Sequence, residues 1–241
     1  MSGNFVYNRV LLKLSGETLK GSLEHGYDPE SCQKAAARIK TIIDRGVQVA
    51  LVVGAGNIWR GGRAGKMMNR VDADKMGMLA TAMNALMLKN VFNNLGVEVL
   101  LQCAIPMDGF IPVYNKDTAV AALEQGKLVI FAGGTGNPFF TTDTASTLRA
   151  LETSCDAVLK ATQVDGVYSA DPKKFPDAVR YNELDYSEAL EKQLKVMDSA
   201  AFSLCREHNL PIVVFDFYAA DLDKVLAGDT SAGTIVRNCK A

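Results

Sequence analysis

Residues 127–151 read KLVIFAGGTGNPFFTTDTASTLRAL. The apolar run Leu128-Val129-Ile130-Phe131-Ala132 is short and rich in β-branched and aromatic residues, which predicts a strand buried on both faces. It stops at Gly133-Gly134-Thr135-Gly136-Asn137-Pro138. Thr141, Thr142 and Asp143 then offer capping side chains ahead of Ala145, Leu148 and Leu151, spaced as on one helix face. A buried strand, a glycine loop and a hydroxyl-rich helix start together build an anion site, because free N–H groups and the positive end of the helix dipole converge there. The plainer alternative is an ordinary turn whose glycines only permit a tight path.

The chain has 241 residues, of which 48% are hydrophobic, enough for one α/β domain spanning residues 1–241. A formal charge of −1 denies it a broad electrostatic pull on nucleic acid or on a membrane surface, so local basic residues must carry any phosphate binding. Five cysteines without a CxxC pair, and two histidines outside any metal-ligand spacing, point to neither a disulfide framework nor a dedicated metal site. No apolar run approaches the roughly 20 residues of a membrane span, and the first residues lack a signal-peptide core. The expected location is cytoplasmic.

Strands and helices alternate throughout. Strands are expected at 10–14, 47–53, 97–102, 128–132, 157–160, 212–215 and 234–236. Helices are expected to begin at Asp28-Pro29, to run from about 75 to 94, and to cover 117–125, 187–194, 199–207 and 222–226. Asp198 caps the 199–207 helix. The pattern predicts a three-layer αβα sandwich with a largely parallel sheet of about seven or eight strands, its loops gathered on one edge. Lys13 lies within an apolar strand. Either its ammonium meets a phosphate at the strand end, beside the N–H groups of Ser15 and Gly16, or it sits on an edge strand facing water. The loop from Gly54 through Ala55, Gly56, Asn57 and Arg60 to Gly62 is not GxGxxG. Residues 61–67 (GGRAGKM) are not a Walker A loop either, being one residue short and ending in Met67. What remains is a sheet-edge loop whose Arg60 suits phosphate by its planar fork; the alternative is a mobile surface loop with a solvated arginine. Asp72 and Asp74 are read as opening the long helix, with Asp74 a cap or a ribose acceptor. Met76, Met78, Met83 and Met87 with Leu79, Leu86 and Val91 exceed one core-facing stripe, which points to a subunit contact. Lys160, Thr162, Tyr168 and Asp171 converge after the 157–160 strand, where an aromatic and a carboxylate suit an adenosine; a turn at Asp165-Gly166 is the alternative.

Taken together, KLSG (13–16), GAGNIWRG (54–61), MGMLATAMNAL (76–86), GTGNPFFTTDTA (134–145), LKATQVDGVYSADP (159–172) and LKVMDSAAF (194–202) resemble the bacterial-type UMP kinases of the amino-acid kinase superfamily. The likeness covers nearly the whole chain in order. It implies an amino-acid kinase-like fold and transfer of the γ-phosphoryl of ATP to UMP, giving UDP and ADP for pyrimidine nucleotide synthesis. By this resemblance Lys13 meets the transferring phosphate, Asp143 orients Lys13 and the magnesium–nucleotide complex, and Asp198 is a second acid near the centre. Lys13, Ser15, Gly16, Gly56, Arg60, Thr162, Tyr168 and Asp171 take the ATP side. Ala55, Asp74, Thr135, Gly136, Asn137, Pro138, Phe139, Phe140, Thr141 and Thr142 take the UMP side. Mg2+ would arrive with ATP, the assembly would be a homohexamer, and GTP and UTP would be effectors. Two positions depart from the pattern: Ala55 stands where a middle glycine is usual, and Lys75 where histidine is common.

The chemistry suits such a chain. Phosphoryl transfer between nucleotides needs reacting oxygens held in line and charge neutralised, not a protein nucleophile. The acceptor phosphate is already ionised near neutral pH. Competing readings are a sister kinase acting on a carboxylate or carbamate, which GTGNPFFTTD argues against, and a catalytically silent nucleotide sensor, which intact Lys13 and Asp143 argue against. The loop spacing excludes a Rossmann dehydrogenase.

Overall fold

A computed structural model describes residues 5–60 and 68–239; the Walker-like stretch 61–67 lies outside them. Along β1 (Arg9–Leu14) the side chains alternate: Leu12 and Leu14 enter one hydrophobic cluster, Leu11 the other. The same period of two runs through β2 (Gln48–Val53), β4 (Leu128–Ala132), β5 (Ala157–Thr162) and β9 (Ile212–Asp216), so both faces of the sheet are apolar and both must be covered. α2 (Pro29–Ile43), α3 (Arg70–Asn94) and α8 (Leu222–Leu226) pack on the Leu12 face. α4 (Lys116–Glu124), α5 (Thr142–Glu152), α6 (Tyr186–Glu191) and α7 (Ser199–Glu207) pack on the Leu11 face. A single-turn helix, α1 (Glu17–Lys20), buries Leu19 beside the first group.

With β3 (Val99–Cys103), β8 (Glu183–Asp185) and β10 (Thr234–Arg237), the sheet has eight strands in the order β3-β4-β2-β1-β5-β9-β10-β8. Every pairing is parallel except β9 with β10. The expected three-layer α/β sandwich is therefore observed. The carboxyl ends of β1, β2, β4 and β5 lie side by side, and their exit loops share one edge. β10 does not close the sheet, because β8 pairs outside it; three residues give no readable alternation, and that pairing joins segments some 50 residues apart. β6 (Val167–Tyr168), in the stretch read from sequence as following the 157–160 strand without further regular structure, pairs antiparallel with β7 (Arg180–Tyr181) in a two-stranded hairpin.

The long helix begins earlier than the sequence reading placed it. Asn69 caps it by accepting a hydrogen bond from the Asp72 N–H at 2.9 Å, so Asp72 and Asp74 lie inside the first turns and Asp74 is free to bond elsewhere. The hairpin is docked through Thr234, whose fully buried hydroxyl accepts from the Val167 N–H at 2.8 Å and donates to the Tyr181 carbonyl. Thr234→Val keeps the shape but leaves both backbone groups without a partner. It should cost about 1–3 kcal/mol, read as a lowered urea midpoint, with hydrogen exchange rising first in the hairpin; exchange unchanged there would show that the hairpin is held by other contacts.

Candidate active site

Lys13 and Lys160 are register partners on adjacent parallel strands, about 4.8 Å apart in the sheet. By alternation they share the face of Leu11 and Val158, under α5. Two ammonium groups so placed repel one another unless an anion lies between them. Asp143, in the first turn of α5, supplies it: Oδ1 is 3.0 Å from Lys13 Nζ and Oδ2 accepts from Lys160 Nζ at 2.8 Å. These side chains are only 13–17% exposed. Burial alone would raise the carboxyl of Asp143, but the Lys13 and Lys160 charges and hydrogen bonds outweigh it and hold it below the ordinary carboxylate value. Lys160 is lowered, first by burial and then by the neighbouring Lys13, against the opposing pull of Asp143. Its ammonium also donates to the Val196 carbonyl at 2.5 Å. The Asp198 carboxylate also acts on Lys160 from further away. Sequence reading noted Lys160 but gave it no role, since its meeting with Lys13 depends on strand order.

On one side of this cluster lies a cavity of about 620 Å³. Ala55, Asp74, Thr135, Asn137, Phe140, Thr141 and Thr142 line it, seven of the ten residues assigned to the UMP side. Gly136, Pro138 and Phe139 are not on the wall. Phe139 takes a left-handed backbone (φ 72°) with its ring mostly exposed, and its N–H donates to Asp74 Oδ2 at 2.7 Å. Asp74 also accepts from Arg70 Nε at 2.8 and 2.9 Å. Sequence reading missed Trp59, Arg70, Gly77 and Thr81 on this wall; they come from the start of α3 and the loop against it, read as plain helix and loop. The Trp59 indole donates to the Ala73 carbonyl at 2.8 Å.

On the other side is a second cavity of about 440 Å³, whose wall includes Lys160, Thr162, Tyr168, Asp171 and Val196. The Tyr168 hydroxyl donates to Asp165 at 2.7 Å, and Asp171 caps the following turn through the Lys173 N–H. Asp198 has its oxygens engaged: it accepts from Thr144 Oγ1 at 2.8 Å, from the Thr141 hydroxyl, and from the Ala201 N–H at 2.9 Å. Its geometry is that of a buttress tying the start of α5 to the start of α7.

The exits of β1 and β2 touch backbone to backbone. A Cβ on Gly16 would lie 2.4 Å from the Gly54 carbonyl oxygen and 2.8 Å from the Gly56 nitrogen. Among the described residues, the N–H groups of Ser15, Gly16, Ala55 and Gly56 find no acceptor, an arrangement suited to an anion. Arg60 turns outward, pairing with Glu17 and donating to the Gly56 carbonyl at 3.4 Å. Asn57 is buried with its amide facing α3. Burial pushes the thiols of Cys155 and Cys205 up to about 11, so neither supplies a thiolate at neutral pH.

The profile of the Amino acid kinase family matches residues 8–216. The uridylate kinase of Paramagnetospirillum magneticum is 53% identical over 90% of this chain and 91% of its own length. That of Aliivibrio fischeri is 50% identical over 98% and 97%. Among solved structures, the UMP kinase from Bacillus anthracis superposes with a TM-score of 0.93 at 38% identity, covering 97% of both chains. The one from Ureaplasma parvum gives 0.89 at 36%, covering 96% and 99%.

The depressed Asp143 carboxyl makes a prediction with a definite sign. Its ionised form contributes stability that is fully present above the ordinary value of 3.8 and is lost as pH falls through its lower folded-state value. Asp143→Asn leaves two ammonium groups nearly buried without an anion. At pH 7 it should lower unfolding free energy by about 3 kcal/mol or more, and should flatten the acid-side loss of stability. Urea titrations from pH 2 to 7 test this, and matching curves for the two proteins would remove the cluster from the stability of the fold.

Proposed function

The chain belongs to the amino acid kinase family, and from its uridylate kinase relatives and the geometry above we propose that it transfers the γ-phosphoryl group of ATP to UMP, giving UDP and ADP. One observation carries the reading: two cavities flank a single Lys13–Asp143–Lys160 cluster, with Thr142 on the wall of one and Lys160 on the wall of the other. Two nucleotides laid in those cavities bring their phosphates together over two cations.

UMP occupies the larger cavity. Asp74 accepts from a ribose hydroxyl on Oδ1, which holds only Arg70 Nε and keeps a lone pair, whereas Oδ2 is filled by Arg70 Nε and the Phe139 N–H. The segment from Thr135 through Gly136, Asn137, Pro138, Phe139, Phe140 and Thr141 to Thr142 surrounds it, and Ala55 meets its phosphate. ATP occupies the smaller cavity against Thr162, Tyr168 and Asp171, its phosphates on Ser15, Gly16, Gly56 and Arg60. Lys13 and Lys160 neutralise the charge spread over the transferring group, Asp143 holds both in place, and the attacking phosphate oxygen needs no general base. Asp198 keeps the start of α5 at the junction of the cavities.

No three His, Cys, Asp or Glu side chains gather as a cation cage among the described residues. Asp143 Oδ1, buried and without an aligned hydrogen bond, is the acceptor that fits Mg2+ carried in on ATP, where the metal screens phosphate charge. Residues 1–241 act as one domain. The outer face of α3 exposes Met76, Leu79, Met83 and Leu86, which supports a contact between subunits of a homo-oligomer, a hexamer by resemblance, with GTP and UTP as effectors. No helix among the described residues is long and apolar enough to cross a membrane; the setting proposed is cytoplasmic pyrimidine nucleotide synthesis.

ADP release measured with UMP, CMP, glutamate and carbamate as acceptors tests the reading. UMP should be strongly preferred; turnover on a carboxylate or carbamate, or nucleotide binding with no turnover, would refute it. Lys13→Ala should cut kcat by about 10²–10³-fold while the protein stays folded, because Asp143 keeps Lys160 as partner. Near-normal turnover would take Lys13 out of the chemistry. Asp74→Asn should raise the KM for UMP about tenfold with kcat little changed, and an unaltered KM would exclude the ribose contact.

A further inference from the structure

Asn57 and Asn84 are 1% and 0% exposed and form a closed amide pair: Asn57 Nδ2 donates to Asn84 Oδ1 at 3.0 Å, and Asn84 Nδ2 donates back to Asn57 Oδ1 at 2.8 Å. The remaining amide hydrogens are also used, Asn84 Nδ2 donating to the Gly54 carbonyl at 2.7 Å and Asn57 Nδ2 to the Gly26 carbonyl at 3.1 Å. Two uncharged amides in an apolar interior are costly unless every group is paired, and here every group is. A trans peptide points its C=O and N–H in opposite directions, so holding the Gly54 oxygen fixes the direction of the Ala55 N–H. Ala55 lines the larger cavity, and that N–H has no acceptor among the described residues. One turn earlier on the same face of α3, the Thr81 hydroxyl accepts from the Gly133 N–H at 2.9 Å, pinning the first peptide of the other loop that borders the cavity.

We infer that Asn84 is a positioning residue for phosphoryl transfer: through the Gly54 carbonyl and the Asn57 amide it sets the aim of the phosphate-facing N–H groups of the loop after β2. It touches no substrate. The inference rests on the kinase reading above for its kinetic readout, but not for its structural one. Near-attack geometry is sensitive to displacements of about 1 Å, which cost up to about a hundredfold in rate.

The test compares Asn84→Ala, Asn84→Leu, Asn57→Ala and the double Asn57→Ala/Asn84→Ala variant. Leucine keeps the branched outline of asparagine and is larger, without its hydrogen bonds, so it leaves no void and separates a cavity from lost aim. Each single variant, corrected for its folded fraction by circular dichroism, should lose about ten- to a hundredfold in kcat at saturating ATP and UMP. The double variant should be no slower than the slower single one, because both act through one pair. Hydrogen–deuterium exchange should rise in the peptide carrying residues 54–58 while that of β5 stays protected. Recovery of kcat in Asn84→Leu, multiplicative losses in the double variant, or an unchanged exchange pattern would overturn the inference. A wild-type chain that does not phosphorylate UMP would instead refute the kinase reading, leaving the exchange measurement to decide the role of Asn84 alone.

Discussion

Two lysines on neighbouring strands sharing one aspartate from a helix is the constraint that the remaining architecture serves. Two ammonium groups so close together and so little exposed repel one another, and the carboxylate between them offsets that repulsion. The aspartate in turn can reach both only if α5 starts directly above the ends of β1 and β5. That placement follows from the parallel order in which β1 lies between β2 and β5, and from the glycine-rich path that brings the chain from β4 across to α5. Charge balance and topology are therefore one problem here, solved once, at the carboxyl edge of the sheet.

Around that centre the hydrogen bonds divide into those that hold and those left open. Asp198, Thr144 and Thr141 spend their capacity on one another, locking the start of α5. Asn57 and Asn84 do the same for the loop after β2. Against these closed networks stand the N–H groups of Ser15, Gly16, Ala55 and Gly56, without acceptors among the described residues. Fully paired supports beside unpaired donors are the arrangement that a preorganised anion site requires.

Local signals in the chain were enough for most of this frame. The strand at 128–132 agrees with the structure residue for residue, and Thr141 caps α5 as its neighbourhood suggested, because a buried parallel strand and a hydroxyl cap are written in contiguous residues. Contacts that depend on distant partners were not legible. β8 is three residues long and exists only by pairing with β10. Asp74 looked like a cap because the true cap, Asn69, lies a turn earlier. Lys160 was visible as a lysine but its meeting with Lys13 is a matter of register. Asn84 is one polar residue on a methionine-rich helix, and nothing local distinguishes it from a solvent-facing asparagine. Of the residues assigned to the cavities, those on the walls were found through extended motifs, whereas Trp59 and the first turns of α3 enter the wall only because the helix crosses above it.

The close approach at Gly16 also shapes how such a sequence can change over generations. Every single-base change in a glycine codon that yields another residue adds at least a methyl group, and here the methyl would fall on a carbonyl oxygen and an amide nitrogen of the neighbouring loop and on the Asn57 amide, which Asn84 holds in place. There is no smaller intermediate to pass through, so drift at this codon meets its whole steric barrier at the first step. Ala55, one loop away, carries a methyl group and lines the larger cavity, and the contrast marks how sharply tolerance to mutation can differ between two positions on adjoining loops.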